Sequence, residues 1–223
     1  MSKITWDGTG ERIYETGVDH GVLYTKTVSH PFGSAVAWNG LTAVNESPSG
    51  AEATKLWADN INYATMYSAE EYSCTIEAYT YPDEFEECDG SRQLAPGVYM
   101  GQQTRKPFGF SYRSLIGNDE DGLDYGYELH LIYNLMAKPS ERSRSTTNDS
   151  PEAVTFSWEC DSTPINVASL STAKPTCQIT IKSTDLDPAK LTLLEAALYG
   201  TSGTSAYLPT PDEVIALIGA TTA

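Results

Sequence analysis

The sequence predicts a mainly β protein whose helices are confined to its C-terminal end. Three observations predict it. Residues 125–135 alternate cleanly between large and small or polar side chains, the period of a strand. Clusters of Gly, Asn and Asp separate such runs along the chain. Capped, helix-period segments occur only after Asp187.

The chain opens on TWDGTGERIYETGVDHGVLY, from Thr5 to Tyr24. Gly8, Gly10, Gly17 and Gly21 suit tight turns, and Trp6, Tyr14 and Tyr24 offer large docking surfaces. Residues 1–24 therefore read as an ordered arm. Strand signals follow at Ser34–Val44, Ala53–Trp57 and Glu71–Thr80.

The strongest hairpin spans residues 108–135. Phe108, Phe110, Tyr112 and Ile116 share one face, and Tyr125, Tyr127, Leu129, Leu131, Tyr133 and Leu135 share another. GNDEDGLD, from Gly117 to Asp124, supplies the turn. Matching the two apolar faces pairs Tyr112 with Leu129 and sets Arg113 opposite Glu128. Residues 139–151 form a polar loop, either mobile at the surface or ordering against a neighbouring subunit. Further strands are expected at Ala153–Cys160 and Thr176–Lys182. Their apolar residues, Val154, Phe156, Trp158 and Cys160 against Cys177, Ile179 and Ile181, are expected to face one core.

Two helices close the chain. Asp187 caps the first, Pro188 suits its first position, Leu191, Leu194 and Leu198 recur on one side, and Gly200 ends it. Thr210 and Glu213 have capping-box spacing for the second, with Pro211 at its first position and Gly219 at its end. Val214, Ile215, Leu217 and Ile218 are too apolar for an isolated short helix. They require a partner in the same subunit or in a neighbour.

The chain has 223 residues, 30 acidic and 14 basic side chains, and a formal net charge of −16, which opposes nucleic-acid binding through phosphate. No run reaches the length of a membrane span, and the N-terminus lacks the charged and apolar regions of a signal peptide, so folding in a cytoplasm is expected. Cys74, Cys88, Cys160 and Cys177 have no CxxC spacing, and His20, His30 and His130 are scattered; buried thiols are expected, with no metal site. His130, on the polar side of the best strand, reads as structural or solvated. No hydrolase, metalloprotease or phosphate-loop motif occurs, and no cofactor is expected. The acidic groups at Glu84, Glu86, Glu87 and Asp89 lack the ligand order of a calcium loop. Arg105, Lys106 and Arg113, amid aromatics, read as salt-bridge partners rather than a single-strand nucleic-acid platform.

Several blocks carry a family resemblance: ERIYETGVDHGVLY, AWNGL, EAYTYPDEF, GQQTRKPFGFSYR, GNDEDG, YGYELHLIYN and NDSPEAVTFSW. Together they resemble the major tail protein of siphophages, the long-tailed phages with non-contractile tails, those of Gram-positive hosts in particular. The resemblance implies one domain over residues 1–223, with two packed antiparallel β-sheets and a flanking helix. It implies a ring of six copies, rings stacked into a tube, and double-stranded DNA passing through the lumen without specific binding. Partners would be further copies, the tail tip or baseplate, and tape-measure or terminator proteins; the protein would reside in the virion tail after assembly in the host cytoplasm, with no membrane insertion.

In that frame the arm (1–24) and the C-terminal segment (205–223) contact neighbouring subunits through Trp6, Tyr14, Tyr24, Val214 and Leu217. The acidic residues Asp119, Glu120, Asp121, Asp124 and Glu128 face the lumen or a ring interface, where negative charge lets DNA slide. No catalytic residue is expected. A capsid decoration protein shares the same acidic, β-rich profile, and a carbohydrate-binding module would use the 14 tyrosines and 4 tryptophans as a platform.

Overall fold

A computed structural model describes residues 4–144, 146, 149, 153–170 and 173–219. The strands run in chain order as β1 (Tyr14–Thr25), β2 (Ser34–Ala37), β3 (Leu41–Glu46), β4 (Ser49–Gly50), β5 (Ala53–Ala58), β6 (Ile61–Tyr67), β7 (Glu70–Glu71) and β8 (Ser73–Ala78). After a 3-10 turn at Asp83–Phe85 come β9 (Arg92–Ala95), β10 (Val98–Met100), β11 (Phe108–Asn118), β12 (Gly122–Ala137), β13 (Phe156–Ser162) and β14 (Gln178–Lys182). Two helices follow, α1 (Pro188–Tyr199) and α2 (Pro211–Ile218).

The expected mainly β, antiparallel architecture is present. The main sheet has the order β2-β1-β11-β12-β13-β8-β3, with β14 also paired to β12, and every pairing is antiparallel. This single sheet folds over on itself and does not close into a barrel. The fold occurs within β12: residues 128–132 pair with β14, and residues 135–137 pair with β13. Asn134 lies between these stretches with φ of 51°, a left-handed kink that asparagine tolerates better than most residues. The kink moves Leu135 to the opposite side of the sheet from Tyr133, which strict alternation would place together.

Both faces of the central strands are buried, by different partners. On one side, Phe108, Phe110 and Tyr112 of β11 meet Trp158 and Cys160 of β13, Cys74 and Ile76 of β8, and Trp38 and Phe85. Aromatic rings there meet edge-on at centroid distances of 5.2 Å (Phe85–Trp158) to 5.5 Å (Trp38–Trp158), the arrangement their quadrupoles favour. On the other side, Val22, Tyr24, Leu129, Leu131 and Tyr133 pack under Leu194 and Leu198 of α1 and Val214 of α2. Gly109 permits this second layer: a Cβ there would lie 2.5 Å from Leu208 and 3.0 Å from Phe32.

Burial on both faces overturns the expected hairpin register. Tyr112 pairs with His130, Arg113 with Leu129 and Ser114 with Glu128, one residue away from the Tyr112–Leu129 pairing. Matching apolar faces fails as a guide because Leu129 and Leu131 belong under the helices, while the side carrying His130 and Ile132 faces the aromatic core. Arg113 instead forks onto Asp19 at 2.7 and 2.8 Å and stacks on Tyr127, and Glu128 pairs with Lys182 at 3.2 Å. The same two-core arrangement separates the late strands. Trp158 and Cys160 lie in the aromatic core, whereas Ile179 and Ile181 pack under the helices.

The arm is shorter than expected. Residues 14–24 form most of β1, an internal strand between β2 and β11, and the arm proper is residues 4–13. The run 34–44 is two strands, β2 and β3, broken at Gly40 with φ of 75°. The helices match their signals: the Asp187 carboxylate accepts from Ala189 N, and Thr210 and Glu213 complete a capping box. Three cysteines are buried thiols and Cys177 is half-buried; desolvation pushes the Cys88 thiol up to about 12.

Candidate functional site

Three features stand apart from the core. The first is a pair of hairpins carrying large apolar side chains in solvent. In β5–β6 the turn residues Asp59 and Asn60 both have positive φ, 52° and 66°, as a type I′ turn requires. Trp57 is 68% exposed, Tyr63 73% and Tyr67 71%, and Leu56, Ile61 and Met66 are also exposed. Alternation places Leu56 and Met66 on one face and Trp57 and Tyr67 on the other. The smaller β9–β10 hairpin likewise exposes Leu94, Val98 and Tyr99. Sequence reading found β5 but not its exposure, and missed β6, β9 and β10.

The second feature is the N-terminal arm against the β11–β12 turn. Asp119 accepts a hydrogen bond from Gly10 N at 3.0 Å and pairs with Arg12 at 3.6 Å. Asn118 Oδ1 accepts from the amides of Glu120 and Asp121, the side-chain turn geometry asparagine favours. The acidic turn thus holds its own subunit's arm, while Glu120, Asp121 and Asp124 stay exposed.

The third feature is a polar strip across the sheet, on the side of the aromatic core. Ser114 Oγ donates to Glu15 at 2.5 Å and lies 2.8 Å from His130 Nε2. The His130 ring stacks on Tyr112, with centroids 4.4 Å apart and planes 10° from parallel. Its Nδ1 is buried, has no hydrogen-bond partner among the described residues, and lies 3.9 Å from Glu46. Glu46 accepts from Tyr112 Oη at 2.7 Å and from Gln178 Nε2 at 3.0 Å. Burial holds the His130 pKa below the usual imidazole value, against the opposing pull of Glu46, Glu128 and Glu15. A serine beside a histidine invites comparison with a nucleophile and its base. Here the serine is buried and its single proton is given to Glu15, an arrangement suited to holding strands rather than to attacking a substrate.

The residues expected at subunit contacts divide. Trp6 is 77% exposed and Tyr14 is half exposed, its ring lying over Gly117. Tyr24 is fully buried and offers no surface to a neighbour: its hydroxyl donates to Leu198 O of α1 at 2.9 Å. Val214 is buried and Leu217 packs against the same core, so α2 finds its partner within the subunit. Glu128 is almost buried beside Lys182, not free to line a lumen. The basic residues are matched as expected: Arg105 pairs with Asp89 at 3.4 Å, Lys106 with Glu87, and Arg113 with Asp19 at 2.7 Å. A cavity of 730 Å³ lies by Lys26, Asp83, Glu87, Tyr99 and Lys106, away from the strip. Part of the polar loop 139–151, with Asn148 at the start of the last block, lies outside the described residues.

No family model and no curated protein matches the sequence. Several solved chains are similar to this one. Among them is a chain of the anti-feeding prophage (AFP) baseplate, determined by cryo-electron microscopy with six-fold symmetry. The TM-score is 0.36 at 8% identity, covering 82% of this chain and all of that one. A score at that level does not establish a shared fold.

Proposed function

We propose that this protein is a structural subunit of a phage tail tube, assembling with copies of itself into stacked rings of six that conduct the genome into the host. The observation that carries the reading is the β5–β6 hairpin. A two-stranded ribbon is marginal in water by itself, and exposed large side chains on both of its faces mark it as incomplete. Residues 53–67 contain one lysine and one aspartate, so the hairpin is neutral in a chain of net charge −16. Copies that repel one another over most of their surface meet best where charge is absent. Repeated head-to-tail contact of this kind closes into rings or continues as filaments. The sequence blocks resembling siphophage tail proteins favour the tube. Trp6, Tyr14 and the exposed side of segment 205–223 are further contacts in this reading, and Glu120, Asp121 and Asp124 supply negative charge to lumen or interface. The assembly site is the host cytoplasm and the final location the virion tail, where the tail tip, tape-measure and terminator proteins are its partners.

Negative-stain electron microscopy across protein concentrations, beside solution mass, tests the reading. The native chain is expected to form rings or hollow tubes, alone or when seeded with tail-tip complexes. The triple variant W57S/Y63S/Y67S is expected to keep its near-UV circular dichroism and remain monomeric. A native chain that stays monomeric even when seeded, or a variant that polymerises like the native chain, overturns it.

A further inference from the structure

Glu15 of β1, Glu128 and His130 of β12 each present a ligand atom, and the three atoms lie within 4.8 Å of one another. From this cluster we infer that the polar strip binds one divalent transition-metal ion of the zinc class, with His130 Nε2, Glu15 and Glu128 as ligands. The site is independent of the tail-tube reading.

The decisive detail is the proton count on His130. Ser114 has one hydroxyl hydrogen and gives it to Glu15, so the hydrogen in the Ser114–His130 contact comes from Nε2. That tautomer leaves Nδ1 as a bare lone pair, buried and facing the Glu46 carboxylate with nothing to accept from. A buried acceptor left in this state is costly. A metal at Nε2 reverses it. Coordination displaces Ser114 Oγ from Nε2 and takes the Nε2 lone pair, the proton moves to Nδ1, and Nδ1–H then points at Glu46. Glu46 is already fixed by Tyr112 and Gln178 and needs to close by less than about 1 Å to accept it. A carboxylate behind a ligating histidine is the usual outer-shell partner at metal centres.

One ligand pair already lies near the spacing an ion needs. His130 Nε2 and Glu15 Oε1 are 3.8 Å apart, close to the roughly 3.4 Å between ligands of a tetrahedral ion with bonds of about 2.0–2.2 Å. Stacking on Tyr112 fixes the plane of the imidazole. Lys182, which holds Glu128, is more than half exposed and is displaced into water by the ion. Imidazole with two carboxylates favours zinc-class ions over calcium or magnesium. The ion would tie the exposed start of β1 to β12, across β11.

The test uses the full chain after chelator treatment, titrated calorimetrically with Zn²⁺. We expect one equivalent bound and a raised Tm in its presence. Glu15→Gln is the main variant, because its half-exposed side chain makes misfolding improbable as a cause of lost binding; His130→Asn accompanies it, each checked by near-UV circular dichroism. Both are expected to weaken binding about 100-fold, and Glu46→Gln about 10-fold or more through the histidine. Co²⁺ loading should give ligand-field bands without thiolate charge transfer. No saturable binding below about 100 μM, binding unchanged in Glu15→Gln, thiolate bands, or displacement by millimolar Ca²⁺ would each overturn the assignment.

Discussion

Tyr24→Phe separates a core role for this residue from a role in assembly. The last turn of α1 leaves carbonyls that no helical amide can reach. Ala196 O accepts from Gly200 N at 3.0 Å, Ala197 O from Tyr207 N at 2.8 Å, and Leu198 O from the Tyr24 hydroxyl at 2.9 Å. Removing the hydroxyl leaves Leu198 O buried without a donor and takes a partner 3.1 Å away from Ser111 Oγ. Desolvation of one such group costs about 1–3 kcal/mol, and the ring itself is kept, so we expect about 2 kcal/mol of destabilisation. In a chain of this size that lowers Tm by about 4–8 °C. Urea denaturation at a concentration where the protein is monomeric measures it, and a cycle with Ser111→Ala isolates the coupling. A change below about 0.5 kcal/mol, or a variant of native stability that no longer assembles, would refute the reasoning and return Tyr24 to the subunit surface.

Two further outcomes follow from side-chain pairs. Arg113 holds the Asp19 carboxyl below its ordinary value, chiefly by hydrogen bonding. A depressed folded-state pKa gives stability that is complete above the unfolded value near 3.9 and lost as pH falls through the folded one. Acid denaturation of Arg113→Gln should therefore show a weaker dependence on pH below about 4 than the native chain; identical profiles would contradict this. Asp119→Ala removes the acceptor for Gly10 N and the partner of Arg12, and should speed limited proteolysis within residues 4–13 while changing global Tm by less than about 2 °C. An unchanged cleavage rate would show that the arm is held by other contacts.

Local signals in the sequence were faithful, and non-local ones were not. The caps at Asp187 and Thr210 and the turn after Asn118 were readable because each depends on residues within one turn of the chain. The register of β11 and β12 was not, because it depends on what covers each face. Leu129, Leu131 and Tyr133 look like the only apolar side of a half-buried strand until two helices some 60 residues later cover them. Trp57 and Tyr63 have the composition of core positions, and nothing local distinguishes a side chain with a neighbour from one without. The polar strip draws on β1, β3, β11, β12 and β14, so His130 looked solitary in sequence. Its companions are neighbours only through strand register.

The place of β1 in the sheet sets a schedule for synthesis. Tyr14 pairs with Gly117, and Tyr24 with Gly109, so β1 leaves the ribosome long before its main partner, β11, is made. At about 5–20 residues per second, the partner strand follows roughly 5–20 s later. Through that interval Val22, Leu23 and Tyr24, all destined for burial, have only the short β2 beside them. In a cell making many copies at once, that delay is when one chain's β1 meets another chain's β11 edge, and the yield of native subunits should fall when translation is slow relative to chain encounter.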